Sequence, residues 1–407
     1  MKSRNIITCA LMLVVLFGGI MYKIADKIEL LPAGLDNGSY SYLEGGALQK
    51  LPEISLDRIT SGVFQDEVEA YVSACFPSRD RVLLANAAAQ RSVIELAALP
   101  FSFTCFPTQF GGTKLYDRES SSLFELPATS DRSTMRNLEE FAASVTAMHD
   151  SNPGCNVVVF VPDCTRVTEV NPSSELVHNS LSHADLLEYL SNAVDPGVEV
   201  THFESKDSDE FFELFYKTDH HWTIDGAYRA YQTIAQVLGL ESISPLSRVS
   251  YDEYPSYGSI ARQGLYLTAD DHISDFVFPD FDGTVIVNGE IKPRDGKTSF
   301  ADGTVDEDLA VFRSYESYFG MNYSVVQYAN NSPKNDRNLL IVGDSFTQPV
   351  EPMLAASYKN TFSIDPRSNY YTDSLSAFID ENDIDDIVVI MRITTMVEDG
   401  VAEEIAS

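Results

Sequence analysis

The sequence predicts an α/β chain built on a doubly wound, mostly parallel sheet. Five short apolar runs, at 156–162, 198–202, 338–342, 361–364 and 386–391, read as strands buried on both faces. Segments of helical periodicity lie between them, and this alternation is the pattern of a parallel sheet. The two clusters of residues that carry chemistry fall at the carboxyl ends of strands, where such sheets keep their sites.

In chain order, Lys2 and Arg4 precede an apolar run over 6–22 that is broken only by Thr8 and two glycines. A run of that length can cross a bilayer as a helix, and the basic residues ahead of it set a cytoplasmic N-terminus. Residues 1–24 are therefore expected to form a signal anchor or signal peptide. Residues 25–60, with Pro32, Gly34, Gly38, Gly45 and Gly46, read as a juxtamembrane arm, and 61–407 as one domain outside the membrane. Phe64, Val68, Tyr71, Val72 and Cys75 share a helical face that ends at Pro77. A second helix is expected over 80–96. A third over 134–148 carries the stripe Leu138, Phe141, Ala142, Val145 and Met148. Further helices follow at 184–193, 225–238 (stopped by Gly239), 352–358 and 374–381. Residues 242–337 break the alternation, with Gly, Pro, Asp and Tyr among short runs such as Gly283-Thr284-Val285-Ile286-Val287. They read as an inserted irregular or antiparallel segment.

Composition narrows the function. The 407 residues include 28 Lys+Arg and 61 Asp+Glu, a formal net charge of −33 that excludes nucleic acid as a general partner and disfavours anionic lipid surfaces. The 44% hydrophobic content is enough for a sizeable core. Of the five cysteines, Cys155 and Cys164 bracket a predicted strand, which places their Cα atoms roughly 30 Å apart. A disulfide needs about 7 Å or less. If disulfides form, Cys75 and Cys105 therefore pair with Cys155 and Cys164; free thiols are the alternative. No cysteine–histidine spacing suggests zinc, and no cofactor is expected.

Gly343-Asp344-Ser345-Phe346 follows strand 338–342 directly. A serine at a strand-to-helix turn presents its hydroxyl at the sheet edge, and a nearby helix start would favour an oxyanion. The plainer reading is that Asp344 and Ser345 cap the next helix. Tyr216-Lys217-Thr218-Asp219-His220-His221-Trp222-Thr223 precedes helix 225–238. Asp219 and His221 can face one pocket, and a serine nucleophile needs such a base and a third group to hold its tautomer. The plainer reading here is a polar loop capped by Thr223. An Asp-His-His run could also donate to a metal, but no second cluster completes a ligand set, and no metal is expected.

Together, Asp219-His220-His221-Trp222 and Gly343-Asp344-Ser345-Phe346 resemble the DHHW proteins of the SGNH-hydrolase superfamily, relatives of the periplasmic alginate O-acetyltransferases. Phe76-Pro77-Ser78-Arg79-Asp80, Asp225-Gly226-Ala227-Tyr228, Tyr257-Gly258-Ser259, Gly320-Met321-Asn322 and Asp365-Pro366-Arg367 extend the likeness over about 55–395. The resemblance implies an SGNH-hydrolase-like sheet with Ser345 as nucleophile, His221 as general base and Asp219 as its orienting acid. It leaves Asn322 and Gly258 as candidate oxyanion donors, His220 in support, and Trp222 in packing. Met321 departs from the family's second glycine. The expected activity is an extracytoplasmic O-acyltransferase, acetylating an extracellular or cell-wall polysaccharide through an acyl-serine. The partners implied are a polysaccharide acceptor, an acyl donor and a membrane-bound O-acyltransferase that passes acyl groups outward. A carbohydrate esterase with the same triad and a non-catalytic, membrane-tethered scaffold are the competing readings.

Overall fold

The computed structural model describes residues 50–407 except 75–78, 109–111, 252–255, 268–270, 280–281, 293–314, 316–318, 320–322 and 369–373, together with 40, 41, 43, 46 and 47. The expected anchor 1–24, most of the arm, Cys9, Cys75 and Asn322 lie outside these residues. Among the described residues no helix is long and apolar enough to cross a membrane.

The chain divides into two compact units. The first comprises 1–99, 106–112 and 262–266, so the single domain expected from 61 onward loses its first two helices to a separate body. These are α1 (Val63–Ala74) and α2 (Arg79–Ala97), and α2 buries none of its side chains. Within this unit Arg91 donates to the Leu265 carbonyl at 2.6 Å and lies 4.4 Å over the Tyr266 ring, which also stacks on Phe106.

The second unit comprises 100–105, 113–261 and 267–407. Its elements begin with the hairpin β1 (Thr113–Asp117) and β2 (Ser122–Glu125). They continue as α3 (Arg132–Ser151), β3 (Asn156–Phe160), α4 (His183–Ala193), β4 (Val198–Thr201) and α5 (Ile224–Val237). Next come β5 (Gly283–Val287), β6 (Glu290–Lys292), β7 (Val325–Asn330) and β8 (Asn338–Gly343). The last are α6 (Glu351–Ala355), β9 (Asn360–Ile364), α7 (Leu375–Glu381), β10 (Asp386–Ile390) and α8 (Val401–Ala406).

Among the described residues one eight-stranded sheet runs in the order β6-β5-β7-β9-β8-β10-β3-β4. The five strands expected from the apolar runs form its parallel part, β9 to β4. The remaining three strands lie in or next to the segment expected to be an insertion. They add to β9 in antiparallel fashion and widen the sheet, while Ser247–Ser250 and Ser274–Val277 pair in a separate two-stranded antiparallel sheet. The β5–β6 turn carries Asn288 and Gly289 at φ 48° and 83°, the left-handed pair that a two-residue hairpin requires.

The near-continuous apolar runs follow from burial on both faces. Val157, Val159, Leu340, Val342, Ile387 and Val389 pack under α3, α4, α7 and α8. Val158, Phe160, Leu339, Ile341, Val388 and Ile390 face α5 and the residues around Trp222. Each such side chain, fully buried, stabilises the fold by roughly 1.5–3 kcal/mol. Capping set the helix starts: Asp131 accepts from Ser133 and Thr134 at α3, and Ser182 and Asp185 form a capping box at α4.

Of the two readings of the cysteines, the free-thiol alternative holds for those described. Cys105, Cys155 and Cys164 are free thiols, respectively exposed, partly buried and buried. The Cys155 thiol donates to the Ile384 carbonyl at 2.9 Å, so it serves the interior as a small, weakly polar group.

Gly343 ends β8 where β10 passes closest. A Cβ there would collide with the Ile390 carbonyl oxygen and the Thr347 methyl. Gly343→Ala is expected to lower unfolding stability by about 1–3 kcal/mol, read as a urea-midpoint shift. Gly154→Ala, where a Cβ meets nothing within 4 Å, is the control and should stay within about 0.5 kcal/mol.

Candidate active site

The loop that carries Asp219 and His221 is closed at its base by backbone bonds. Tyr216 N donates to the His221 carbonyl at 3.1 Å, and Thr223 N donates to the Leu214 carbonyl at 2.8 Å. The Thr223 hydroxyl caps α5 by accepting from Gly226 N. The capping reading of this segment therefore holds, and its acid and base still turn toward the sheet.

His221 Nδ1 lies 2.7 Å from Asp219 Oδ1, and His221 Nε2 lies 2.6 Å from Ser345 Oγ. Asp219 and His221 are 3% and 2% exposed, whereas Ser345 retains some exposure. An ionised carboxylate only accepts, so Nδ1 carries the proton and Nε2 is left to accept from the serine hydroxyl. Asp219 Oδ2 also accepts from Ser259 N at 2.7 Å, and Oδ1 accepts from His221 N at 3.2 Å. Burial opposes ionisation of this carboxyl. The adjacent His221 and His220, with these hydrogen bonds, outweigh it and hold the group well below the usual aspartate range.

Further residues fix this geometry. His221 stacks on Tyr315 with centroids 3.8 Å apart and planes 2° from parallel, and the Tyr315 hydroxyl donates to the Ser345 carbonyl at 3.1 Å. Trp222 is fully buried and meets Phe346 edge-on at 4.9 Å, so the residue after His221 packs on the residue after Ser345. Asp344 does not cap a helix. Its Oδ2 accepts from Arg392 N at 3.2 Å and Thr395 Oγ1 at 2.7 Å, which ties the Ser345 turn to the end of β10. The next helix, α6, begins only at Glu351, so the expected support from a helix start beside Ser345 is absent.

Asn322 and Gly258 were the candidate oxyanion donors. Asn322 lies outside the described residues. Gly258 N donates to Thr218 Oγ1 at 2.9 Å and is thereby spent. Gly258 has another role: a Cβ there would strike Asp219 and the Thr218 carbonyl, so only glycine lets this turn close over the acid. Ser345 N donates to none of the described residues and remains the available donor. Arg367 grips Asp365 through Nε at 2.9 Å and Nη2 at 2.6 Å, a structural ion pair.

Asp219, His220 and His221 bring one possible ligand atom each within 4.8 Å of one another. His221 Nδ1 is held by Asp219 and His220 Nδ1 by Ser259 Oγ at 2.7 Å.

The sequence did not point to Tyr315, Phe346, Ser259 or Asp271 as site residues. Asp271 accepts from Lys217 N, Thr218 N and Thr218 Oγ1 at 2.9, 2.8 and 2.5 Å and so holds the residues just before Asp219. An aspartate among scattered turn residues carries no signal of its own.

Residues 117–254 match the family described as "SGNH hydrolase-like domain, acetyltransferase AlgX". The match takes in the Asp219–Trp222 cluster and ends before Ser345. The likeness is to the SGNH hydrolase-like domains. A DHHW family protein from Eubacterium siraeum is 19% identical, with a TM-score of 0.54 over 72% of this chain and 94% of its own. Bacillus cereus PatB1 with a sulfonyl adduct is 18% identical, with a TM-score of 0.52 over 70% and 95%. At these identities the two structures show a shared fold. No curated protein sequence matches. The chain is a mixed α/β fold on a large central sheet, consistent with an SGNH-like fold.

Burial pushes the Asp271 carboxyl up to about 6, against the pull of Thr218 and the two amides. Between the ordinary aspartate value and about 6, the folded chain keeps a proton that the unfolded chain has lost. Stability from this group therefore falls as pH rises through that window, and the cost is fully present above it. In Asp271→Asn, unfolding free energy measured by urea from about pH 4 to 7 is expected to lose this downward component. An unchanged slope would show that Asp271 does not titrate there.

Proposed function

We propose that the chain is an extracytoplasmic serine-dependent O-acyltransferase that passes an acetyl group to a polysaccharide through an acyl-serine. The observation that carries this reading is the continuous hydrogen-bonded line from Asp219 through His221 to Ser345, at 2.7 and 2.6 Å, beside the carboxyl end of β8. The family match and the fold shared with a protein that holds a sulfonyl adduct support it.

Ser345 Oγ attacks the ester carbonyl as His221 Nε2 takes its proton, and Asp219 stabilises the imidazolium so formed. The tetrahedral oxyanion takes the free Ser345 N–H. His221 then gives the proton to the departing alcohol, leaving the acyl-serine. An acceptor hydroxyl next attacks the acyl carbon and gives its proton to His221. The Ser345–acyl bond breaks, and the proton returns to Ser345 Oγ.

With the net charge of −33, a neutral or amino-sugar polymer is a better acceptor than a polyuronate, which this surface repels. The N-terminal apolar run would act as the anchor, and a membrane-bound O-acyltransferase would supply acyl groups on the outer side.

The test is intact-mass analysis after incubation with 4-nitrophenyl acetate. The wild type is expected to gain one acetyl or to turn over. Ser345→Ala should gain none, and His221→Ala should turn over about 10³-fold or more slowly. Phenylmethylsulfonyl fluoride should label the wild type alone, and a chelator should leave turnover intact. Equal labelling of all three proteins, or of none, would overturn the triad.

A further inference from the structure

The mechanism above leaves His220 without a task, although its ring sits on that of His221 with centroids 3.9 Å apart. Its hydrogen bonding settles which nitrogen is free. His220 Nδ1 lies 2.7 Å from Ser259 Oγ and 3.3 Å from the Asp219 carboxylate. The Ser259 hydroxyl also lies 3.2 Å from Asp219 Oδ1 and has one proton to give, which goes to the carboxylate. A lone pair on Nδ1 would then face two acceptors, so Nδ1 carries hydrogen and donates. Burial, the Arg392 guanidinium and His221 hold this ring well below the usual histidine range, so it is neutral and Nε2 is a bare acceptor. Among the described residues nothing donates to Nε2, and the side chain keeps 15% of its surface exposed.

We propose that His220 Nε2 binds the acyl acceptor, by accepting a hydrogen bond from the hydroxyl beside the one that is acylated. The two adjacent histidines then address two neighbouring hydroxyls: His221 takes the proton of the attacking oxygen, and His220 holds its neighbour. The acceptor class this selects is a sugar or other polyol with adjacent hydroxyls, in preference to a simple alcohol. The inference rests on Ser345 carrying the acyl group. Because Nδ1–H is committed to Ser259, the ring cannot turn over without breaking the contacts around Asp219, so its acceptor face is fixed. A site built to pair a substrate hydroxyl discriminates strongly against analogues that lack it.

The experiment uses the full chain with 4-nitrophenyl acetate as donor and an equimolar mixture of methyl β-glucopyranoside and methanol as acceptors. Two quantities are read: the 4-nitrophenol burst rate, which reports acylation, and the ratio of acetylated glucoside to methyl acetate. Asn at this position can keep a donor toward Ser259 but has no atom where Nε2 stood. His220→Asn is expected to lower the product ratio by about tenfold beyond any fall in the burst. Gln can place an amide oxygen there, so His220→Gln should recover most of the ratio. A ratio unchanged in His220→Asn would overturn the proposal. So would a fall in burst and both products by one common factor, because a purely structural role acts on all three alike. A burst that persists in Ser345→Ala would instead sink the acyl-serine reading, and that outcome is read without the His220 variants.

Discussion

The carboxylate of Asp219 is the constraint around which the site is organised. An ionised carboxyl that is 3% exposed is tolerated only when its oxygens are satisfied by donors, since an unpaired buried charge costs several kcal/mol or more. Its donors come from two directions. His221 supplies its ring and its backbone amide from the same loop, and Ser259 supplies its amide from a turn 40 residues away. That turn can approach only because residue 258 has no side chain. The same turn spends the Gly258 amide on Thr218, whose hydroxyl and amide are in turn held by Asp271. The acid that orients the base is thus itself oriented by a closed set of polar contacts, and these leave His221 one rotamer and one tautomer.

Ser345 meets this assembly through the sheet and through aromatic packing. Strand β8 brings it to the edge, Asp344 pins the turn to the end of β10, and the Trp222–Phe346 contact registers the two loops against each other. An aromatic pair of this kind contributes about 0.5–1.5 kcal/mol beyond its buried area. Tyr315 touches both partners, with its face on His221 and its hydroxyl on the Ser345 carbonyl. The Asp219–His221–Ser345 geometry therefore depends on packing as much as on hydrogen bonds.

The parts of the molecule legible in the sequence are those governed by burial or by one-dimensional spacing. Runs such as Leu339-Leu340-Ile341-Val342 have no face left for water and can only be inner strands, and the stripe on α3 needs one apolar partner. Asp219 and His221 were legible because chemistry demands an acid and a base within reach of a serine. Residues that act through long-range approach were not. Gly258 was noticed as a possible donor, yet its use lies in the missing Cβ, which is visible only when Asp219 is brought against it. Asp344 looked like a helix cap because the sequence does not show that β10 ends beside it. The antiparallel character of 242–337 was legible, with the Asn288-Gly289 turn as its local signal, but the pairing of its strands with β9 was not, because that pairing is set by long-range approach.

The position of β10 has a consequence for how the molecule is assembled. Among the strands described it comes late in the sequence, yet it lies between β8 and β3, in the middle of the parallel part. Until 386–390 pair, the segment with Ser345 and the segment with strand β3 share no backbone pairing. Non-local parallel pairing of this kind is slow to form. This strand therefore acts as the keystone of the parallel part, joining the segment that carries Ser345 to the segment that carries β3.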